Sequence, residues 1–399
     1  MLDRSVCRAR ACLFGLLSVV MLWALTLSAT VAFAQEPMPR RWDQQAAGSL
    51  LAYIERIDRH GLDPEDYAPA ALEQALASGD AASLERRATD SFAQVAADLA
   101  TGRVKPGRRG RYYIASDPIE PMRMARLIDT AIAFGSVAPL LEALAPQNRE
   151  YAALRAALAG LEAGQDAQRR KVEVSLERWR WLPRDLGDRH LLVNIPEYRL
   201  RLIDKDRETA SHRVVVGKLQ TPTPQFSAQV TAVILNPSWH VPQSIVAESV
   251  GSLVRNRPQV ARARGYTWSY SGGGLQVTQQ PGPQNALGQM KLEMANPLTV
   301  YIHDTPSKDL FERDVRAFSH GCIRTHLPFD LAEELLQGTE WGRARIDGGV
   351  AARLTKRVPL SSGVPVYVVY MTAVAGPDGT VRFLDDPYRL DAAIAAQLD

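Results

Sequence analysis

Cysteine is scarce in this chain: its 399 residues hold three. Two of them, Cys7 and Cys12, sit among Arg4, Arg8 and Arg10, at the start of an uncharged, mostly apolar run from Ala11 to Ala34 that ends Ala32-Phe33-Ala34. A basic start, an apolar core and a small-x-small end predict an export signal over 1–34, while the length of the run also suits a retained signal anchor. Both readings place the chain beyond Gln35 outside the cytoplasm. Cleavage would leave Cys322 alone, so no disulfide framework can form within one mature chain. An unpaired thiol in an oxidising compartment is a hazard and must be either buried and inert or chemically useful.

Net charge is also lacking. Without Asp3 and the three arginines of 1–34, the chain keeps 44 basic against 43 acidic side chains, a balance that argues against a nucleic-acid binder. No internal repeat is visible. The length allows two or three domains, with a core large enough to be stable without disulfides.

What is present falls into two halves. Over 42–162 the pattern is helical: Ala47, Leu50, Leu51, Ile54 and Ile57 recur at three- and four-residue steps, Asp43 can cap the start, and Gly61 stands where a left-handed cap belongs. Further helices are predicted from Pro69 to Ala77, Ala82 to Ala100, Pro121 to Phe134 and Asn148 to Leu161, giving an all-α domain with short connections. Arg103, Lys105, Arg108, Arg109 and Arg111 form a basic run that could face an anionic polymer but reads better as a solvated loop. "AGQDAQRRK" (163–171) is the best linker candidate, and Trp179 and Trp181 read as packing anchors at the join beyond it.

From 172 to 388 the period changes to two. Tyr198, Leu200 and Leu202 alternate with Arg199 and Arg201, and "HRVVVGK", "QVTAVILNP" and "LTVYIHD" are β-branched runs bounded by turn residues. "VPVYVVYMTAV" and "VRFLDD" meet across Gly376-Pro377-Asp378-Gly379 as a hairpin. One helix, from Pro328 to Gln337, interrupts this β-rich region. The fold class expected is therefore α+β, an all-α domain followed by a β-rich one.

Cys322 lies in "RAFSHGCIRTHLP" (316–328). A thiolate is the nucleophile, and a thiol needs a neighbour to take its proton. His303 ends a strand 19 residues earlier, far enough for the chain to leave the sheet and return beside it. His320 is two residues away. Gly321 permits a tight turn in which the Gly321 and Cys322 amides can meet an oxyanion, and Arg324 adds a fixed positive charge that could favour the thiolate or hold a substrate carboxylate. His303, His320, Cys322 and His326 do not have zinc-site spacing, so no metal is expected. His326 reads as the start of the next helix. His60, His190, His212 and His240 read as surface or hydrogen-bonded residues.

"IHDTP" followed by "SHGCIR" resembles the catalytic signature of the YkuD family of L,D-transpeptidases. "LERWRWLP", "VNIPEYRL", "NPSWHVPQSI" and "GPQNALGQMKLEMANPLTVYIHDTP" resemble its larger Gram-negative, YcbB-type branch, and "HGLDPEDY" and "ATGRVKP" the helical scaffold domain of that branch. Beyond the signal or signal anchor read over 1–34, the resemblance implies a scaffold domain over 42–162 and a catalytic domain over 172–388 with a capping insert at 246–278. It also implies that Cys322 is the nucleophile and His303 its proton acceptor and donor. His320 would support the site, the Gly321 and Cys322 amides would form the oxyanion hole, and Arg324, Ser319 and Asp304 would serve on the substrate side, Asp304 through a carbonyl that orients His303. No cofactor is implied. The partners it implies are donor and acceptor stem peptides of peptidoglycan in the periplasm, and it implies that carbapenem-type inhibitors acylate the thiol. The "AVKxFQ" type of peptidoglycan-binding module carried by larger members is missing from this sequence.

The implied reaction is crosslinking through a cysteinyl thioester with loss of terminal D-alanine. Two alternatives stand beside it: a stem-peptide carboxypeptidase or endopeptidase on the same Cys-His site, and a non-catalytic peptidoglycan-binding scaffold protein.

Overall fold

Helical periodicity and capping side chains set the first half of the chain. The structure, a computed structural model, describes residues 41–399 apart from Pro377; the export signal expected over 1–34 lies outside the described residues. Helix Gln44–Ile54 starts on Asp43, whose carboxylate accepts the Ala46 N–H at 2.8 Å. Helices Pro69–Ser78, Ala81–Thr101, Pro121–Phe134, Val137–Leu144 and Arg149–Gly160 come next, the last capped by Asn148 through the Tyr151 N–H. Gly61 is left-handed, φ +67°, but closes a separate 3-10 turn, Ile57–His60. That turn forms because His60 is drawn inward: its ring meets the Tyr151 hydroxyl at 3.0 Å and its carbonyl accepts from Arg180 at 2.6 Å.

The segment expected as a linker, 163–171, instead enters helix Asp166–Arg180. Its polar residues are the first turns of a helix whose later residues, Val172 to Arg180 with few interruptions, are buried. Asp166 in the first turn and Arg178 and Arg180 in the last also complement the helix dipole. Trp179 and Trp181 are buried, as packing anchors would be. The basic run is not uniformly solvated: Arg109 is buried, donates to the Val104 and Thr101 carbonyls, and stacks on Tyr112 and Trp181.

The second half is a sheet that closes on itself. Strands run Gln225–Leu235, Lys356–Val369, Arg189–Asn194, Arg199–Asp204, Arg207–Gly217, Ile323–Thr325, Ile302–His303 and Met290–Met294, and the last pairs antiparallel with the first. Alternation decides which side chains fill the barrel. Leu191, Val193, Leu292, Ile302, Ile323, Val366 and Val368 belong to its interior core. Leu192, Tyr367 and Val369, one residue out of phase, belong to the core shared with the helices, so one face of these strands packs on the helical region. Tyr112–Tyr113 adds a short parallel strand beside Gln225 and Phe226. Ala373–Ala375 and Val381–Phe383 form the expected hairpin.

Residues 246–278 build a small cap whose apolar core of Val246, Val250, Val254, Ala261, Tyr266, Leu275 and Val277 also takes in Val241, just before it. Its hairpin, Tyr266–Ser271 with Gly274–Gln279, turns on Gly272 and Gly273 at φ +57° and +78°, the two-residue geometry that needs glycine. A π-helical turn, Val246–Val250, interrupts the helix that opens the cap.

Candidate active site

Cys322 and His303 come together through strand register. Ile302 pairs parallel with Ile323 and His303 with Arg324, while His303 pairs antiparallel with Lys291. Ile302, Ile323 and Leu292 point into the barrel, so their neighbours Tyr301, His303, Cys322, Arg324 and Lys291 lie on its outer face. Lys291 Nζ sits 3.7 Å from the centre of the Tyr301 ring, a cation–π contact on that face.

His303 is buried, and its Nδ1 meets the Asp304 carbonyl at 2.5 Å. Burial, reinforced by the Arg324 charge, pushes the imidazole down to about 3, although the Asp304 and Leu287 carbonyls favour its protonated form. Cys322 is half-buried. Burial pushes its thiol up, while the Tyr301 N–H, Arg324 and Lys291 favour the thiolate. The resting pair is therefore a neutral imidazole and a neutral thiol, and among the described residues no hydrogen bond joins them.

The turn before the thiol is held by the protein itself. Ser319 Oγ donates to the Cys322 carbonyl at 2.5 Å and accepts the Gly321 N–H at 3.0 Å. Thr221 Oγ1 and the Lys218 N–H donate to the Ser319 carbonyl, and Thr223 Oγ1 donates to the Gly321 carbonyl at 2.8 Å. Gly321, at φ +116°, takes a backbone conformation that side-chain-bearing residues rarely adopt.

Three expected roles change here. The Gly321 amide is already engaged by Ser319, so of the two expected oxyanion donors only the Cys322 N–H is without a partner among the described residues. Ser319 is buried and its hydroxyl is spent inside the turn, on the Cys322 carbonyl and the Gly321 N–H, and not turned toward a substrate. The Asp304 carboxylate is also spent, on Lys308 and on the Gln289 N–H at 2.8 Å; only its carbonyl serves the site. Arg324 lies beside the thiol, with a buried Nε that has no hydrogen-bond partner.

His320 points away from the sheet to the cap, where its Nε2 lies 3.0 and 3.2 Å from the two carboxylate oxygens of Glu248. His320 holds that carboxyl below its usual range, and Lys218 approaches it at 3.9 Å. His326 packs against Phe311, outside this constellation. His60, His190, His212 and His240 are all hydrogen-bonded elsewhere. Lys291, Tyr301, Thr221, Thr223 and Glu248 do not stand out in the sequence. The pairing of "MKLEM" with the strand that ends at His303 is the only signal for Lys291, and it lies in register, not in a motif.

The loop that holds the turn begins at Gly217, where an added Cβ would stand 2.2 Å from the Thr221 carbonyl oxygen and 2.6 Å from the Thr223 nitrogen. Gly217→Ala must therefore move the two threonines that clamp Ser319 and Gly321. It is expected to cost about 1–3 kcal/mol in urea unfolding and to slow alkylation of Cys322 by iodoacetamide; unchanged values in both would show that the loop does not hold the turn.

Comparison with known proteins finds matches for two regions of the chain. Residues 188–347 match the L,D-transpeptidase catalytic domain, YkuD, and residues 39–158 match the Scaffold domain. A putative L,D-transpeptidase of Haemophilus influenzae is 29% identical over 243 residues, which is 56% of this chain and 48% of that protein. The chain thus spans about half the length of the curated relative it matches. Among solved structures, an L,D-transpeptidase from Mycobacterium smegmatis aligns at 14% identity and TM-score 0.26, covering 46% of this chain and 58% of that one. L,D-transpeptidase 3 from Mycobacterium tuberculosis, solved with a faropenem-derived adduct, aligns at 13% identity and TM-score 0.24, covering 45% and 60%.

Proposed function

Because the chain carries an L,D-transpeptidase catalytic domain behind an N-terminal Scaffold domain, we propose that it is a periplasmic L,D-transpeptidase that crosslinks peptidoglycan through a thioester on Cys322. The observation that carries this reading is the shared outer face of Cys322 and His303, with His303 fixed through Nδ1 by the Asp304 carbonyl. In that tautomer Nδ1 keeps its hydrogen and Nε2 offers a lone pair, which is the arrangement a general base needs.

The reaction then runs as two acyl transfers. As substrate binds, His303 takes the Cys322 proton and the sulfur attacks the carbonyl after the third stem residue. The Cys322 N–H is the amide left to meet the oxyanion. The carbonyl–nitrogen bond to D-alanine then breaks, its nitrogen takes the proton from His303, and a thioester remains. In the second transfer, the side-chain amine of a diaminopimelate on another stem attacks the thioester. Its proton passes through His303 to sulfur, and the thiol is restored. His320, through its contact with Glu248, joins the turn before Cys322 to the cap.

A carbapenem tests this reading directly, since a strained β-lactam carbonyl is an acyl donor for any thiol so activated. Intact-protein mass spectrometry should show one adduct on the wild type, located at Cys322, and none on Cys322→Ala. Incubation with purified muropeptides should then give crosslinked dimers. Shortened monomers without dimers would replace transfer by hydrolysis, and a wild type that takes no adduct would remove the catalytic reading altogether.

A further inference from the structure

Lys291, His303 and Arg324 form one row across three adjacent strands, on the outer face that also holds Cys322. Two cations therefore flank the nucleophile. Neither has an ion-pair partner among the described residues, and Arg324 Nε is buried with nothing to donate to. The carboxylates nearest in the chain are already taken. Glu293, two residues from Lys291 on the same strand, is held by Arg357 at 2.5 to 3.0 Å and by Thr231 at 2.9 Å. Asp304, next to His303, is held by Lys308 and the Gln289 amide. Desolvating two positive groups without an anion is costly, and the cost is recovered only when an anion arrives.

We propose that Lys291 and Arg324 form a carboxylate-binding subsite beside Cys322, which selects acyl donors bearing an anionic carboxylate a few bonds from the attacked carbonyl. The thiolate alone does not account for the pair, since a single sulfur anion cannot also occupy the donor directions of a guanidinium held on the far side of His303 from Lys291. The planar guanidinium fits a carboxylate edge, and the ammonium, braced on Tyr301, supplies a second point of contact. This inference rests on the transpeptidase reading for the identity of the donor, in which two carboxylates qualify: that of the terminal D-alanine and that on the side chain of the third residue. The anion site itself does not depend on that reading.

Alkylation of Cys322 separates the two levels. Iodoacetate and iodoacetamide both form a sulfur–carbon bond with loss of iodide, but only the first is anionic. Their rate ratio, taken on one variant at one pH, cancels the fraction of thiolate. The wild-type ratio is expected to exceed that of a free cysteine peptide and to fall with added salt. Lys291→Met should lower it about tenfold, as should Arg324→Gln, while Lys291→Arg keeps it. Matching circular dichroism and melting curves identify any variant that fails to fold, and Lys291→Met decides the outcome if Arg324→Gln does. A ratio that is unchanged in Lys291→Met would overturn the subsite and leave the cations with the thiolate alone. Donor tetrapeptides amidated at the terminal D-alanine or at the third-residue side chain then show which carboxylate is read: the amide at the recognised position raises KM with little change in kcat. A wild type that uses no donor peptide at all would defeat the transpeptidase reading, and the alkylation ratio would still stand.

Discussion

His303→Gln is expected to slow thioester formation on Cys322 by about 10²–10⁴-fold, the range for losing a positioned general base. Glutamine can keep a hydrogen bond to the Asp304 carbonyl, so the loss reports on the missing base and not on a collapsed site. Single-turnover acylation by a carbapenem, followed by mass, measures it without a second substrate. The pH profile gives an independent reading. Burial and the Arg324 charge hold the imidazole down at about 3, from an ordinary value of 6.5. Acylation by the free enzyme should therefore stay level as pH falls through 6.5, with its acid limb appearing only on approach to 3. The same shift bears on stability: between about 3 and 6.5 the unfolded chain binds a proton at His303 that the folded chain refuses, so stability rises with pH across that window and is fully present above it. In His303→Gln that contribution to the acid sensitivity of unfolding disappears. An acid limb near 6.5 in the wild type, or a variant that acylates at the wild-type rate, would take His303 out of the base role.

How much of this is legible in the sequence depends on distance along the chain. The helices ending at Gly102 and Gly135 and those starting at Pro69, Pro121 and Asn148 are readable because caps and periodicity are local. That Cys322 and His303 lie on adjacent stretches of chain in the sheet is readable because both lie in one short motif block. Closure of the barrel is not, since it depends on Gln225–Leu235 pairing with Met290–Met294 across the whole cap. Lys291 escapes notice for the same reason: its neighbours in the site are set by antiparallel register with His303. The Gly321 amide differs from its expected role because a glycine before Cys322 predicts a turn but not what its N–H meets, and here it meets the Ser319 hydroxyl at 3.0 Å. The 163–171 segment resembles a linker because its first turns are polar on every side. Only the residues beyond it, Val172 to Arg180, show the face that makes it a helix.

Removing the Glu177 carboxylate, on that same helix, is expected to cost about 3–5 kcal/mol of stability, the range for breaking one side of a buried ion pair. Glu177 and Arg180 are both fully buried and 2.7 Å apart. Burial alone would push Glu177 up, but Arg180 and the hydrogen bonds from Trp181 Nε1 at 2.8 Å and the Val104 N–H at 2.7 Å hold it ionised. Arg180 in turn donates to the His60 carbonyl and the Tyr151 hydroxyl. Glu177 and Arg180 together thus tie the last helix before the barrel to three separate segments of the helical region, at Val104, His60 and Tyr151. In Glu177→Ala, Arg180 loses its counter-charge, and the Trp181 and Val104 donors lose their acceptor in a site closed to water. Gly102 has no room to help, because a Cβ there would meet Glu177 Oε1 and the Trp181 ring at 2.6 Å. Urea unfolding should show the loss as a lowered midpoint. Glu177→Leu combined with Arg180→Met should recover part of it, because replacing both charges removes the unpaired ion while the apolar chains refill the space. A Glu177→Ala chain as stable as the wild type would mean that water reaches Arg180, and that the junction between helices and barrel is not sealed.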